Sequence, residues 1–226
     1  MKLEVVNIAK MASASDIIFD ALRHAIIKGE LADGEPLRQD EIAKLFNTSR
    51  IPVREALSRL EQQGLVRTER YKGAFVAGIS IDEVAEIFNF RSLVESTVMA
   101  AAVPAQQKDT AAEARSYYEQ FLSTAEPMDW GELNRKFHYT LYRDSGMTFH
   151  LSIISNTLDR IDRYLRAQIS LTDGLGKANT EHLEILEAFE NRDAIRAAKL
   201  TEQHILGAKN VLIEFLKTHQ AENSHA

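Results

Sequence analysis

Apolar residues recur at helical spacing in Ile17-Ile18, Ala21-Leu22 and Ala25-Ile26, which predicts a helix over 15–28 that Gly29 stops. Residues 1–12 carry no such period and read as a tail. After a turn over 31–36, a short helix is expected over 39–46 with Ile42, Leu45 and Phe46 inward. Asn47-Thr48-Ser49 is a tight turn, and Ser49 is a suitable N-cap for the helix that follows. Pro52 falls in that helix's first turn, where a missing N–H costs nothing. Val53, Ala56, Leu57 and Leu60 face inward, and the helix ends near Gly64. Residues 65–70 and 74–77 then read as two short strands with Tyr71-Lys72-Gly73 at the tip. Helix, short helix, turn, helix and hairpin together form a winged helix-turn-helix.

The period stays helical for the rest of the chain. Ser80-Ile-Asp-Glu83 is a capping box. Helices are expected over 81–103, 107–124, 129–145, 147–171, 177–190 and 193–219, broken at Pro104, Pro127, Gly146, Gly174/Gly176 and Asn191. The fold class is therefore mainly α: a winged helix-turn-helix over 1–78, then an antiparallel bundle of about six helices over 79–226.

Composition narrows the possible chemistry. There is no cysteine among the 226 residues, so disulfides and thiolate metal sites are excluded. No apolar run reaches the roughly 18–20 residues that span a bilayer, and no membrane partner is expected. The N-terminus lacks a signal-peptide core, so the expected location is cytoplasmic. The net charge of −6 is uneven: residues 1–80 carry 12 Lys and Arg against 11 Asp and Glu, whereas residues 50–72 carry six against three. A local basic stripe on an acidic chain is an electrostatic footprint for nucleic acid, although a solvated helix face has the same composition.

Within that stripe Arg50, Arg54 and Ser58 are spaced four apart and share one helical face, with Arg59 beside them. The second helix of a helix-turn-helix enters the major groove, where arginine bonds guanine with both arms or clamps a phosphate. Ser49, Arg50, Arg54 and Arg59, with Lys72 and Gly73 at the wing tip, are the candidate DNA contacts. The alternative is a solvated face beside Glu55 and Glu61.

The second half places polar residues where a core should be. Arg91 interrupts the stripe of Val84, Ile87, Phe88, Val94 and Val98. His182 precedes Ile185, Leu186 and Phe189, and His204 falls among Ala197, Leu200, Ala208, Val211 and Phe215. Asn134 and His138, four apart, point the same way beside Phe137 and Leu141. Buried polar groups need partners. A single inward histidine is ordinarily a satisfied core residue, but imidazoles from three helices can converge on one divalent cation. His24, His150, His219 and His225 lack such a setting and read as surface. Arg91 would anchor a carboxylate ligand that also touches the cation, or else pair with Glu95 four residues on. Arg160, Arg163 and Arg166 are alternative anchors, and Tyr139, Tyr142 and Tyr164 read as packing.

The segment Ser49-Arg-Ile-Pro-Val-Arg-Glu-Ala-Leu57, followed by Gly64-Leu-Val and Gly73-Ala-Phe-Val76, closely resembles the DNA-binding domain of the GntR family of regulators. Asn134-x-x-Phe-His138, Glu181-His182-x-x-Ile-Leu186-x-Ala188, Arg192-Asp193 and His204 resemble the FCD ligand-binding domain of the FadR subfamily, and six helices are nearer its VanR-type branch. The resemblance implies a metal site at Asn134, His138, His182 and His204, binding zinc, nickel or manganese. A palindromic operator in double-stranded DNA calls for a homodimer, and Arg91 beside a cation with neutral ligands points to a small organic or sugar acid as effector; repression is the commoner mode in the family that the chain resembles. The chain departs from the pattern at Asp40, where many members carry arginine, and at Asn134, where the first ligand is often aspartate. Two other readings remain: a metal-dependent enzyme, which lacks a general base among the ligands, and a constitutive DNA binder with a structural metal.

Overall fold

The computed structural model describes residues 13–123, 127–171 and 174–223. The tail expected over 1–12, His225 and the side chain of His219 lie outside what is described. The chain divides into two units, residues 1–78 and 79–226.

The first unit contains α1 (Ala14–Lys28), β1 (Pro36–Leu37), α2 (Gln39–Leu45), α3 (Arg50–Gln62), β2 (Val66–Glu69) and β3 (Gly73–Val76). Ser13 opens α1 with a reciprocal capping box: its hydroxyl accepts from the Asp16 N–H, and the Asp16 carboxylate accepts from the Ser13 N–H, each at 3.1 Å. Gly29 closes the helix in the left-handed conformation at φ 76°. Ile18, Ile26, Val53, Ala56, Leu60, Leu65 and Val76 are among the buried residues of this unit's core.

The first unit departs from the sequence-based expectation at three places. Leu45 is 80% exposed, whereas α2 buries Ile42 and Ala43. Ser49 occupies the N-cap position of α3 with extended backbone, yet its side chain makes no capping bond. Of the two positions that can donate to such a cap, N2 and N3, the second is Pro52 and has no N–H. The wing has a third strand: β1 pairs antiparallel with β3, giving the order β1-β3-β2. In the hairpin Val66 faces Val76 and Glu69 faces Gly73, and the tip turns through Tyr71 and Gly73, both at positive φ.

Six α-helices follow in the described part of the second unit: α4 (Ile81–Ala105), α5 (Thr110–Ser123), α6 (Pro127–Tyr142), α7 (Thr148–Leu171), α8 (Gly174–Glu190) and α9 (Ala194–Asn223). A 3₁₀ turn over Arg143–Ser145 ends at the left-handed Gly146. Pro104 does not break α4 but sits in its last turn, and Gly174 begins α8 rather than preceding it. At Ser80 only half of the expected capping box forms. The Ser80 hydroxyl accepts from the Glu83 N–H at 3.1 Å, while the Glu83 carboxylate turns to Arg160 at 2.9 Å. Val84, Phe88, Val98, Phe137, Leu141, Ile161, Ile185 and Phe189 form the centre of the bundle core. On α9 the buried line is Ala197, Thr201, Ile205, Leu212 and Leu216, so the expected line is displaced and Val211 is 37% exposed. No helix among the described residues is long and apolar enough to cross a membrane.

Candidate nucleic-acid interface and metal centre

In the first unit, α3 buries Val53, Ala56, Leu57 and Leu60 and leaves Arg50, Arg54 and Ser58 exposed on its other side. The three arginines differ in what holds them. Arg50 pairs with Asp40 of α2, which offsets its charge. Arg54 has no ion-pair partner among the described residues. Arg59 turns back onto α1: it bonds Asp16 at 2.7 Å, and its guanidinium lies 4.1 Å from the Phe19 ring centroid. Arg59 thus ties α3 to α1. At the wing tip Lys72 pairs with Glu69 at 3.0 Å, Tyr71 is 91% exposed, and Arg70 stacks on Tyr71 at 4.9 Å. Tyr71 is placed at the hairpin tip by the sequence but does not stand among the candidate contacts read from it.

In the second unit, the bundle brings His138 of α6, His182 of α8 and His204 of α9 together, each offering one ligand atom within 4.8 Å of the others. His138 Nε2 lies 3.3 Å from His182 Nε2. Nitrogens bound about 2.1 Å from a shared ion lie about 3.0–3.4 Å apart in octahedral or tetrahedral geometry, so this spacing fits a divalent cation. Burial pushes both imidazoles well below the usual histidine range, with the neighbouring imidazoles adding to the effect. They are therefore neutral, as metal ligands must be. His204 Nδ1 contacts Glu181 Oε2 at 2.8 Å, which leaves its Nε2 for the cluster. Burial raises the Glu181 carboxyl, but the hydrogen bond and charge of His204 together with those of Lys177 outweigh it, and the net shift is downward. Asn134 lines the same cavity of about 110 Å³, as do Arg91, Arg166 and Lys177. A second cavity of about 240 Å³ opens between α6 and α7, with His138 and Tyr142 in its wall.

Arg91 is 6% exposed, and its Nε donates to Glu95 Oε1 at 2.7 Å. The ion-pair alternative is the one formed, although Arg91 still lines the cavity. Glu95 Oε2 accepts from the Tyr142 hydroxyl at 3.0 Å, and that hydroxyl lies 3.4 Å from His138 Nδ1. The other arginines considered as anchors have partners too: Arg160 bonds Glu83, Arg166 bonds Asp162 at 2.5 Å, and Arg163 bonds Tyr164 at 2.8 Å. His24 is exposed and His150 partly so. Glu95, Tyr142 and Glu181 are the site residues to which sequence reasoning gave no role at the cluster, although the spacings Arg91/Glu95 and His138/Tyr142 are both four.

The buried histidines set a pH dependence. The unfolded chain protonates them below about pH 6.5, whereas the folded chain holds them neutral. Their contribution to the stability of the metal-free protein is therefore fully present above that value and is lost as pH falls, by up to about 1.4 kcal/mol per pH unit for each histidine. Urea unfolding of chelator-treated protein is expected to show lower stability at pH 5.5 than at 7.5, with a shallower slope in His182→Leu. Equal slopes contradict this account.

Comparison with known proteins agrees with both units. Residues 14–76 match the model of bacterial regulatory proteins of the gntR family, and residues 86–207 match the FCD domain. The uncharacterized HTH-type transcriptional regulator BphR of Paraburkholderia xenovorans is 28% identical, over 93% of this chain and 89% of its own. The HTH-type transcriptional repressor RspR of Escherichia coli is 26% identical, over 83% of this chain and 84% of its own. A crystal structure of a GntR-family regulator from Pseudomonas syringae pv. tomato is 32% identical and covers 93% of this chain and 89% of its own, with a TM-score of 0.57. The metal-dependent enzyme is excluded on these grounds, since the family and its named relatives are regulators. The chain belongs to the GntR family of bacterial regulatory proteins, in the FadR-like branch, and is a transcriptional regulator with a helix-turn-helix DNA-binding domain and an FCD effector domain.

Proposed function

We propose that the protein is a cytoplasmic repressor whose operator affinity is set by a small carboxylate bound at a divalent cation in the helical unit. The observation that carries this reading is the meeting of three imidazoles at a cavity that Arg91 also lines. His138, His182 and His204, with Asn134, would hold the ion. The ion would supply a Lewis-acid contact for a ligand oxygen. Three imidazoles and a carboxamide contribute no negative charge, so an anion completes the site. Glu95 uses only the Nε–H of Arg91 in the described contacts, and the remaining guanidinium donors suit a carboxylate. On the DNA side, α3 and the wing would read a half-site. A palindromic operator then calls for a homodimer, because its two half-sites are related by a two-fold axis.

A second reading has one observation in its favour. The Arg91–Glu95 pair gives Arg91 a role without any ligand, as a constitutive DNA binder with a structural cation would require. One experiment separates the two. Arg91→Ala would leave the Glu95 carboxylate buried and unpaired, which costs about 3–5 kcal/mol. Arg91→Lys keeps a charge for Glu95 and loses the planar fork. Operator gel shifts of the wild type are expected to respond to a panel of short organic acids and not to their amides. In Arg91→Lys the acid concentration needed should rise at least about tenfold, the loss of one good charged hydrogen bond. A wild type indifferent to every acid, or a variant that responds equally, overturns the carboxylate reading.

A further inference from the structure

We infer that Tyr142 and Glu95 are positioning residues for the His138 imidazole: a buried hydrogen-bond chain running from Arg91 holds His138 in the tautomer that presents Nε2 as a ligand. The inference rests on the proposed cation site and concerns the residues behind it.

The chain has a direction fixed by counting protons. Arg91 Nε–H donates to Glu95 Oε1 at 2.7 Å. The Tyr142 hydroxyl has one proton and gives it to Glu95 Oε2 at 3.0 Å. With that proton committed, the phenol oxygen can only accept from His138 Nδ1, 3.4 Å away. Nδ1 then carries the ring proton, and the Nε2 lone pair is left facing His182 Nε2 at 3.3 Å. Tyr142 and Glu95 are each 1% exposed, and His138 is 4% exposed, so bulk solvent has little access to these bonds. His204 has a shorter device with the same effect, in which its Nδ1 meets Glu181 Oε2 directly at 2.8 Å. Two ligands on different helices thus each have a carboxylate behind the ring, one direct and one relayed through a phenol. Ligating histidines commonly have such a carboxylate partner, whose loss weakens metal binding about 10–100-fold.

The rival account is that the chain merely stitches α4 to α6, and tautomer state distinguishes the two. In chelator-treated wild type at pH 7.5, long-range ¹H–¹⁵N NMR is expected to show His138 as the Nδ1–H tautomer. Tyr142→Phe keeps the ring and removes the hydroxyl. His138 should then populate both tautomers, and zinc affinity measured by chelator competition should fall about 10–100-fold. Glu95→Gln still offers Tyr142 an acceptor, so the Nδ1–H tautomer should persist and zinc affinity should fall less. Tyr139→Phe, on the exposed side of α6, should change neither reading. An Nε2–H wild type, or a Tyr142→Phe variant with unchanged tautomer and zinc affinity, overturns the inference. A wild type that binds no zinc but loses its Nδ1–H tautomer in Tyr142→Phe upholds the positioning and sinks the cation site.

Discussion

Replacing His182 with alanine is expected to abolish stoichiometric metal and to lower the thermal midpoint of the loaded protein. His182 is 2% exposed, and its Nε2 lies 3.3 Å from that of His138. A cation bound only by the folded state at 100–1,000 times its dissociation constant adds about 2.7–4.1 kcal/mol. For a chain of this size that corresponds to about 5–16 °C of midpoint. Truncation also leaves a small void, so the decisive comparison is the shift that metal produces within each protein. Wild type should gain several degrees over its chelator-treated form, whereas His182→Ala should gain none. The measurement is elemental analysis of gently purified protein with calorimetry before and after adding zinc, nickel or manganese. A wild type that carries no metal and shifts with none of the three removes the site.

The imidazoles were legible in the sequence because each interrupts an apolar stripe, and helical period places a residue on a face without knowing its neighbour. What lay behind them was not legible. Glu95 is visible from sequence as the Arg91 partner four residues on, but its second oxygen is met by Tyr142 from another helix. That bond exists only because α4 and α6 pack together, which the spacing within one helix does not encode. Glu181 adjoins His182 in sequence yet serves His204 on α9. Arg59 shows the same limit on the DNA-binding side: its place beside the polar face of α3 is readable, whereas its return to Asp16 and Phe19 on α1 is tertiary.

The elements themselves were legible wherever the period ran long. The two-residue strand β1 has too few positions to show alternation, and it forms because β3 offers it an edge. On α9 the apolar pattern is masked by a polar residue in the core. Thr201 is fully buried and satisfies its hydroxyl on the Ala197 carbonyl at 2.9 Å. Reading threonine as polar surface moves the expected stripe one position toward Leu200 and Val211. His204 consequently lies at the flank of the buried line, beside Ile205, where it can reach both the cavity and Glu181.

Arg54→Ala is expected to cost more operator affinity than any other single change on α3. Arg54 is exposed in the middle of the α3 face, with no ion-pair partner among the described residues to offset its charge. Removing a two-armed bond to guanine costs about 1–3 kcal/mol, or about 5- to 150-fold in affinity. Arg50→Ala should cost less, because Asp40 already offsets that charge. Arg59→Ala should lower the stability of the first unit while leaving operator affinity nearly intact, since its guanidinium is committed to Asp16 and Phe19. The salt dependence of binding identifies what Arg54 touches. If Arg54 bonds a base, the alanine variant keeps the wild-type slope of affinity against salt and relaxes sequence preference at one position. If it bonds a phosphate, the slope falls by about one and all sequences bind more weakly alike. Gel shifts of the three variants on specific and scrambled DNA at two salt concentrations give both readouts. Wild-type affinity in Arg54→Ala, or a larger loss in Arg59→Ala from a protein that unfolds like wild type, means that α3 does not face the groove with this side.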